Sequence, residues 1–306
     1  MFIRFGERAR QARTGNGPPV APAPTGAADD ARGHSLRAPS PLHAFNRYEI
    51  KYLVDAAVVP AVRAELAARM SADGHGANGA YGVWSLYYDT QHLRFYWEKI
   101  EGLKFRRKLR IRHYGDHSGV DDDTDVFVEI KQRVNRVTQK RRVAMPYHRA
   151  RALCDRREEV EHAPGERFLV QEILDLVVRL DLRPTAMTGY QREAFVGTGS
   201  DLGLRVTMDH RVRGRDRDFD LRAETQNRFI LPPARAVLEV KANERVPYWL
   251  TDLTARHGLQ VQRVSKYCQS IEAHGQAPRS VFHVPAEDPV LDSRPLLPHS
   301  SESANR

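Results

Sequence analysis

Residues 104–115 read KFRRKLRIRHYG, and their cations keep to every second position: Lys104, Arg106, Lys108, Arg110 and Arg112. Phe105, Leu109 and Ile111 fall between them, with Arg107 the one break. A period of two is the side-chain period of a β-strand, because successive Cβ atoms point to opposite faces. The stretch is therefore expected to be a strand with one cationic face and one apolar face. Seven further segments repeat the pattern: FNRYEIKYLV (45–54), WSLYYDT (84–90), DVFVEIKQR (125–133), TQKRRVAMPY (138–147), MTGYQREAFV (187–196), LGLRVTMDHRVR (202–213) and RAVLEVKAN (235–243). Eight strands with few helices between them predict an antiparallel sheet.

The polar sets on these strands are charged in a consistent way. Arg47, Glu49 and Lys51 share a face opposite Tyr48, Ile50 and Tyr52, and Glu129, Lys131 and Arg133 oppose Val126, Val128 and Ile130. Tyr190 goes with Arg192, and Arg205, Thr207, Asp209 and Arg211 oppose Leu204, Val206 and Met208. Glu239 and Lys241 oppose Leu238 and Val240, and QRVSKY adds Arg263, Ser265 and Lys266. On one strand such a face is ordinary solvated surface. Repeated on strand after strand, against an aliphatic opposite face that needs cover, it predicts a closed barrel turned inside out. The apolar side would lie under helices and the charged side would face inward. Like charges inside a barrel repel and lose hydration, so they are tolerable only around a polyanion and a metal. The expected fold is α+β: an antiparallel β-barrel forming a basic tunnel, with helices packed outside.

Three helices are expected: AAVVPAVRAELAARM with Asp55 as N-cap, GERFLVQEILDLVVRL, and VPYWLTDLTARHG with Pro247 in its first turn and Gly258 at its end. GTGSDLG (197–203) precedes a strand and has the wrong spacing for a phosphate loop, so it reads as a turn; there is no GxxxxGK[ST]. Ala-, Pro- and Gly-rich residues 1–43 and Pro- and Ser-rich residues 275–306 are expected to be loose tails around a folded domain at 44–274. The net charge is +9, which calls for a polyanionic partner. The only cysteines, Cys154 and Cys268, do not make a disulfide framework. With no long apolar run and no signal-like start, the expectation is a cytoplasmic protein without a membrane span.

In this order, RYEIKYLV, SLYYDT, KLRIRHYG, VFVEIK, GYQREAF, LRVTMD, LEVK and VSKY resemble the VTC domain. That is the polyphosphate polymerase domain of the vacuolar transporter chaperone complex, within the triphosphate tunnel metalloenzyme superfamily. The resemblance covers about residues 45–272. The sister CYTH branch opens with ExExK, whereas this chain has Arg47-x-Glu49-x-Lys51, with one of the two glutamates. The resemblance implies a tunnel in which Lys51, Arg110, Arg112, Lys131, Arg192 and Lys266 are catalytic. Tyr190, Arg263, Ser265, Lys140, Arg141 and Arg205 would bind substrate. Glu239 would hold a divalent metal, with Mn2+ favoured and Mg2+ the alternative, and Glu129 and Glu49 as further ligands or as partners of the tunnel cations. It further implies ATP and polyphosphate or inorganic triphosphate as the molecules bound, and polyphosphate synthesis from ATP with release of ADP. A tunnel triphosphatase is the first alternative. The second is a binding module without turnover; nucleic acid is not expected, because carboxylates among the cations would repel its backbone.

Overall fold

The computed structural model describes residues 47–76, 79–135, 137–243 and 245–277. The tails expected at 1–43 and 275–306 lie outside these, apart from 275–277. All eight alternating segments are strands. They are β1 (Arg47–Asp55), β3 (Ala80–Asp89), β4 (Phe105–Tyr114), β5 (Asp125–Val134), β6 (Val137–Pro146), β7 (Arg183–Gly197), β8 (Arg205–Arg215) and β10 (Arg235–Asn243). Three short strands join them: β2 (Met70–Ala72), β9 (Arg228–Phe229) and β11 (Gln260–Val261). The expected helices form as α1 (Val59–Ala67), α4 (Arg167–Arg179) and α5 (Tyr248–Arg256). Three more were not foreseen: α2 (Arg94–Ile100), α3 (Tyr147–Arg151) and α6 (Lys266–Ala273). Asp55 does not cap α1; its Oδ1 accepts from the Ala57 amide (3.0 Å) and closes a turn before the helix.

All strands are antiparallel in one sheet of order β11-β1-β10-β8-β7-β3-β4-β5-β6, with β2 on β7 and β9 on β8. The expected closed barrel is not formed, because no ladder joins β6 to β1 or β11. After β6 the chain turns into α3 and α4 and covers the apolar face, and β11 is only two residues long. The sheet nonetheless curls until its distant strands meet by side chain. Lys131 Nζ on β5 lies 3.3 Å from Glu49 Oε2 on β1, although five strands separate them. A flat sheet would hold them about 29 Å apart, at about 4.8 Å per strand.

The convex face is apolar, as the alternation requires. Leu109 and Ile111 of β4, Val128 and Ile130 of β5, and Val143 of β6 are buried beneath Val170, Ile173 and Val177 of α4. Val54, Val206, Met208, Leu238 and Val240 lie under Val62 and Leu66 of α1 and Leu250 and Leu253 of α5. Each fully buried aliphatic side chain contributes about 1.5–3 kcal/mol, so this convex core holds the curl. Helix α6 departs from the expected plan of helices outside. Its Tyr267 stacks on Tyr87 (centroids 5.1 Å apart) on the concave face, and with Cys268 and Ile271 it packs against Ala186, Leu93 and Tyr96.

Two local features set the concave face. In β8 the register shifts opposite Gly189–Gln191, and Arg211 takes a φ of +50°. This bulge leaves Arg211 exposed and sets Val212 in a small apolar cluster with Val83, Tyr190 and Val237. GTGSDLG is the β7–β8 turn, with Gly199 and Gly203 at positive φ. Among the described residues no helix is long and apolar enough to cross a membrane.

Candidate functional site

The strand registers decide which charges share the lumen. β4 pairs with β5 so that Arg110 faces Glu129 and Lys108 faces Lys131, and β5 pairs with β6 so that Glu129 faces Arg142 and Lys131 faces Lys140. Along this wall Arg110 grips Glu129 through Nε (2.7 Å) and Nη2 (2.5 Å). Lys140 Nζ reaches the same carboxylate at 2.8 Å, and Arg112 stands at 4.0 Å. Arg112 is buried, donating from Nε to Ser85 Oγ (3.1 Å) and from Nη2 to the Tyr190 hydroxyl (3.4 Å). One carboxylate thus serves three cations. Burial would push the Glu129 carboxyl up, but Arg110, Arg112 and Lys140 hold it well below the usual range. Its partners are cations, so Glu129 fits a counter-ion better than a metal ligand.

The opposite wall is built differently. β1 and β10 pair Lys51 with Glu239 and Glu49 with Lys241, giving a checkerboard of charge. Lys51 Nζ lies 3.1 Å from Glu49 and 3.3 Å from Glu239, and Lys241 Nζ lies 2.7 Å from Glu239. Burial pushes both carboxyls up, and for Glu49 the charge of Glu239 adds to that push. The surrounding lysines overcome it and keep both ionised. On β7 and β8, Arg192 forks onto Asp209 (2.7 and 2.9 Å), and Lys266 of α6 reaches the same carboxylate at 2.5 Å. Asp209 is fully buried; burial opposes its charge, but Arg192 and Lys266 hold its carboxyl at about 2. The Tyr190 ring lies beneath both cations, 4.4 Å from Lys266 Nζ and 5.2 Å from the Arg192 guanidinium.

Segment 263–266 bridges the walls. Lys51 donates to the Val264 carbonyl (3.4 Å). Ser265 caps α6 by accepting from the Cys268 amide (3.3 Å), and its Oγ also accepts from Lys108 Nζ (2.8 Å). Ser265 is therefore a structural hydroxyl within reach of the lumen. Burial pulls the Lys108 ammonium down to about 8. The Tyr87 hydroxyl accepts from Arg110 (3.2 Å); burial raises its pKa, but Arg110, Arg112 and Lys108 bring it down to about 7.

Most of the expected site residues meet here: Glu49, Lys51, Arg110, Arg112, Glu129, Lys131, Lys140, Tyr190, Arg192, Glu239, Ser265 and Lys266. Arg141 does not. It lies opposite Ile130 on the convex side, and its Nη2 donates to Glu172 of α4 at 2.7 Å. Arg205 is tied at the rim by Asp73 (2.5 Å) and the Tyr81 hydroxyl (3.3 Å). Arg263 is exposed. Sequence reasoning placed Lys108, Asp209 and Lys241 on the charged faces without giving them a role in the site, and gave none to Tyr87 or Arg142. Arg142 faces Glu129 across the ladder, its guanidinium 4.4 Å from the Phe127 ring centroid.

A divalent ion fits only in part on protein ligands. Among the described residues no three His, Cys, Asp or Glu side chains gather as a metal cage. Glu239 and Glu49 are close enough to repel, and the Thr207 hydroxyl opposite Glu239 is buried with no hydrogen-bond partner. One or two carboxylates, with the remaining positions left to phosphate oxygens and water, is the usual way a nucleotide-bound Mg2+ is held, and this donor set matches it.

The family model for the VTC domain matches residues 46–274, the whole of this curled sheet and its helices. The chain belongs to the VTC domain family. Two curated relatives are both vacuolar transporter chaperone complex subunit 4. The one from Trypanosoma brucei is 29% identical over 243 residues, 69% of this chain and 30% of the relative. The one from Trypanosoma cruzi is 26% identical over 229 residues, 64% of this chain and 28% of the relative. The VTC domain chain thus spans less than a third of the length of these relatives. Among solved structures, the PH1819 protein from Pyrococcus horikoshii OT3 overlaps 74% of this chain and 99% of its own at 12% identity. Its TM-score of 0.38 is too low to bear on the fold.

Proposed function

We propose that the lumen of this VTC domain binds a chain of phosphates together with a divalent ion. There it transfers the γ-phosphoryl group of ATP to the end of a polyphosphate chain. The observation that carries this reading is the asymmetry of the lumen: a cation wall of Arg110, Arg112, Lys140 and Lys131 faces the paired carboxylates Glu49 and Glu239.

Phosphoryl transfer asks a protein mainly for positioning and charge neutralisation. Arg110 and Arg112 would take the phosphate oxygens by charge-assisted hydrogen bonds. Arg112 is already aimed by Ser85 and Tyr190, so it loses little freedom on binding. Arg192 and Lys266, fixed by Asp209, would hold the chain from the other side. A terminal phosphate oxygen of the acceptor attacks the γ-phosphorus. The bond from that phosphorus to the β,γ-bridging oxygen breaks, and ADP leaves with the electron pair. The attacking oxygen is already ionised, so no general base is needed, and the Ser265 hydroxyl is taken up by Lys108 and the Cys268 amide. A divalent ion on Glu239 and Glu49 would neutralise charge building on the leaving phosphate.

The aromatic rings of the lumen favour a phosphate chain over nucleic acid, since Tyr87, Tyr190 and Tyr267 are buried under cations and cannot stack bases. The test is turnover of ATP with Mn2+, resolving chain products on a gel and free phosphate in solution. A ladder of chains abolished by Glu239→Ala is expected. Free phosphate without chains would replace polymerase by triphosphatase, and neither product would leave a binding module.

A further inference from the structure

At one end of the lumen the charge pattern changes. Arg106 and Arg133 stand directly opposite each other across β4 and β5, an arrangement that destabilises a sheet unless something offsets it. Arg106 Nε is buried with no hydrogen-bond partner. Burial, then the charges of Arg133 and Arg263, depress the Arg106 guanidinium. Lys99 of α2 is depressed in the same way by burial and then by Arg106, with Lys51 and Arg263 adding to it. Arg133 Nε donates to the Asn135 carbonyl (3.0 Å), a neutral acceptor. Most other cations of the lumen lie on carboxylates; here Arg133 and Arg263 act on Arg106, and Arg106 and Arg263 on Lys99. The acidic residues nearest Lys99 and Arg106 in sequence are Glu98, which is buried and held by Arg107 (2.5 Å), and Glu101, in the turn after α2; Glu129, nearest Arg133, is held by Arg110 and Lys140.

We propose that Lys99, Arg106, Arg133 and Arg263 form a second anion site at this mouth, which binds the distal phosphates of a polyphosphate chain whose end lies in the lumen. The frustration of four cations is relieved when a chain of negative charge runs through them. The cluster is electrostatically continuous with the lumen through Lys51, which acts on both Lys99 and Lys108. A linear phosphate chain suits it better than nucleic acid, because Phe105, the exposed ring beside it, is covered by the Arg107 guanidinium at 4.8 Å. The site would make a long chain a better ligand than triphosphate, which is too short to reach both places. The identity of the chain rests on the function proposed above, while the site rests on its own geometry.

The experiment measures affinities of inorganic triphosphate and of long-chain polyphosphate for the full chain, its Arg106→Glu variant and an Arg133→Gln variant, across a range of salt. Long-chain affinity is expected to fall about tenfold or more in each variant, with triphosphate affinity unchanged. The slope of log affinity against log salt should fall by about 0.7 for each phosphate that the variant no longer neutralises. Arg106→Glu would face Arg133 as an ion pair, so its unfolding midpoint should hold or rise while binding falls, a combination that a structural role for Arg106 would not give. If Arg106→Glu misfolds, Arg133→Gln decides. Unchanged long-chain affinity overturns the proposal, as does displacement of the chain by single-stranded DNA at equal charge. If triphosphate fails to bind the unaltered protein but long-chain affinity still drops in the variants, the lumen reading fails and the mouth site stands.

Discussion

The two walls of the lumen use the same residue types to opposite ends. On β4, β5 and β6, one carboxylate, Glu129, is shared by Arg110, Arg112 and Lys140, so positive charge remains in excess. On β1, β10 and β8, three carboxylates, Glu49, Glu239 and Asp209, interleave with Lys51, Lys241, Arg192 and Lys266, so charge is nearly balanced. A wall with excess cations attracts phosphate by itself. A balanced wall becomes attractive when an added cation shifts its carboxylates from lysine to metal. On the proposed function, the difference would give phosphate affinity to the first wall and metal dependence to the second.

The comparison can be broken most severely at Asp209. Its removal leaves Arg192 and Lys266 buried without a counter-ion, a loss of about 3–5 kcal/mol. Asp209→Ala is therefore expected to lower the denaturant midpoint sharply, with Asp209→Asn less damaging; a midpoint near the unaltered protein's would show that the two cations are not held as described. Arg112→Ala, on the other wall, should spare the fold but cost about 3 kcal/mol of triphosphate binding, roughly 150-fold, read by calorimetry.

Smaller effects sharpen the contrast. Triphosphate affinity should fall as pH rises through 7 to 8. Tyr87, at about 7, becomes a phenolate and Lys108, at about 8, loses its charge, so both changes remove positive potential. Tyr87→Phe should flatten the lower part of that profile. For stability the sign reverses. The unfolded chain holds the Lys108 proton up to its ordinary value near 10.5 while the folded one releases it near 8. The charged form is the one burial penalises, so this group's destabilising effect is full below about 8 and fades toward 10.5. Arg141→Gln should do least: its partly exposed pair with Glu172 contributes about 0.2–1 kcal/mol, and triphosphate affinity should be unmoved.

Much of this architecture was written in the period of two. All eight long strands, their inward charges and their apolar backs follow from alternation, and three of the helices from their own apolar spacing. What alternation could not say is where the edges of the sheet end. Closure is a contact between distant strands, and here the sheet stays open, with Lys131 and Glu49 meeting across the gap by side chain alone. Facing was also lost where charge ran on without a break: in KRR (140–142) only the pairing of Arg142 with Glu129 shows that Arg141 points away. Asp209 looked like one charge among several on β8 until α6 brought Lys266 to it. That helix went unrecognised because it is eight residues long, with its cap, Ser265, inside a motif read for binding.

The measurement that tests the division of labour most directly is triphosphate affinity with and without Mn2+ for the unaltered protein, Arg112→Ala and Glu239→Gln. The account predicts that Arg112→Ala loses affinity in both conditions. Glu239→Gln should keep or improve metal-free binding, because Lys51 and Lys241 are released, and should lose only the gain brought by Mn2+. Equal losses in both variants regardless of metal, or a full Mn2+ effect in Glu239→Gln, would contradict it.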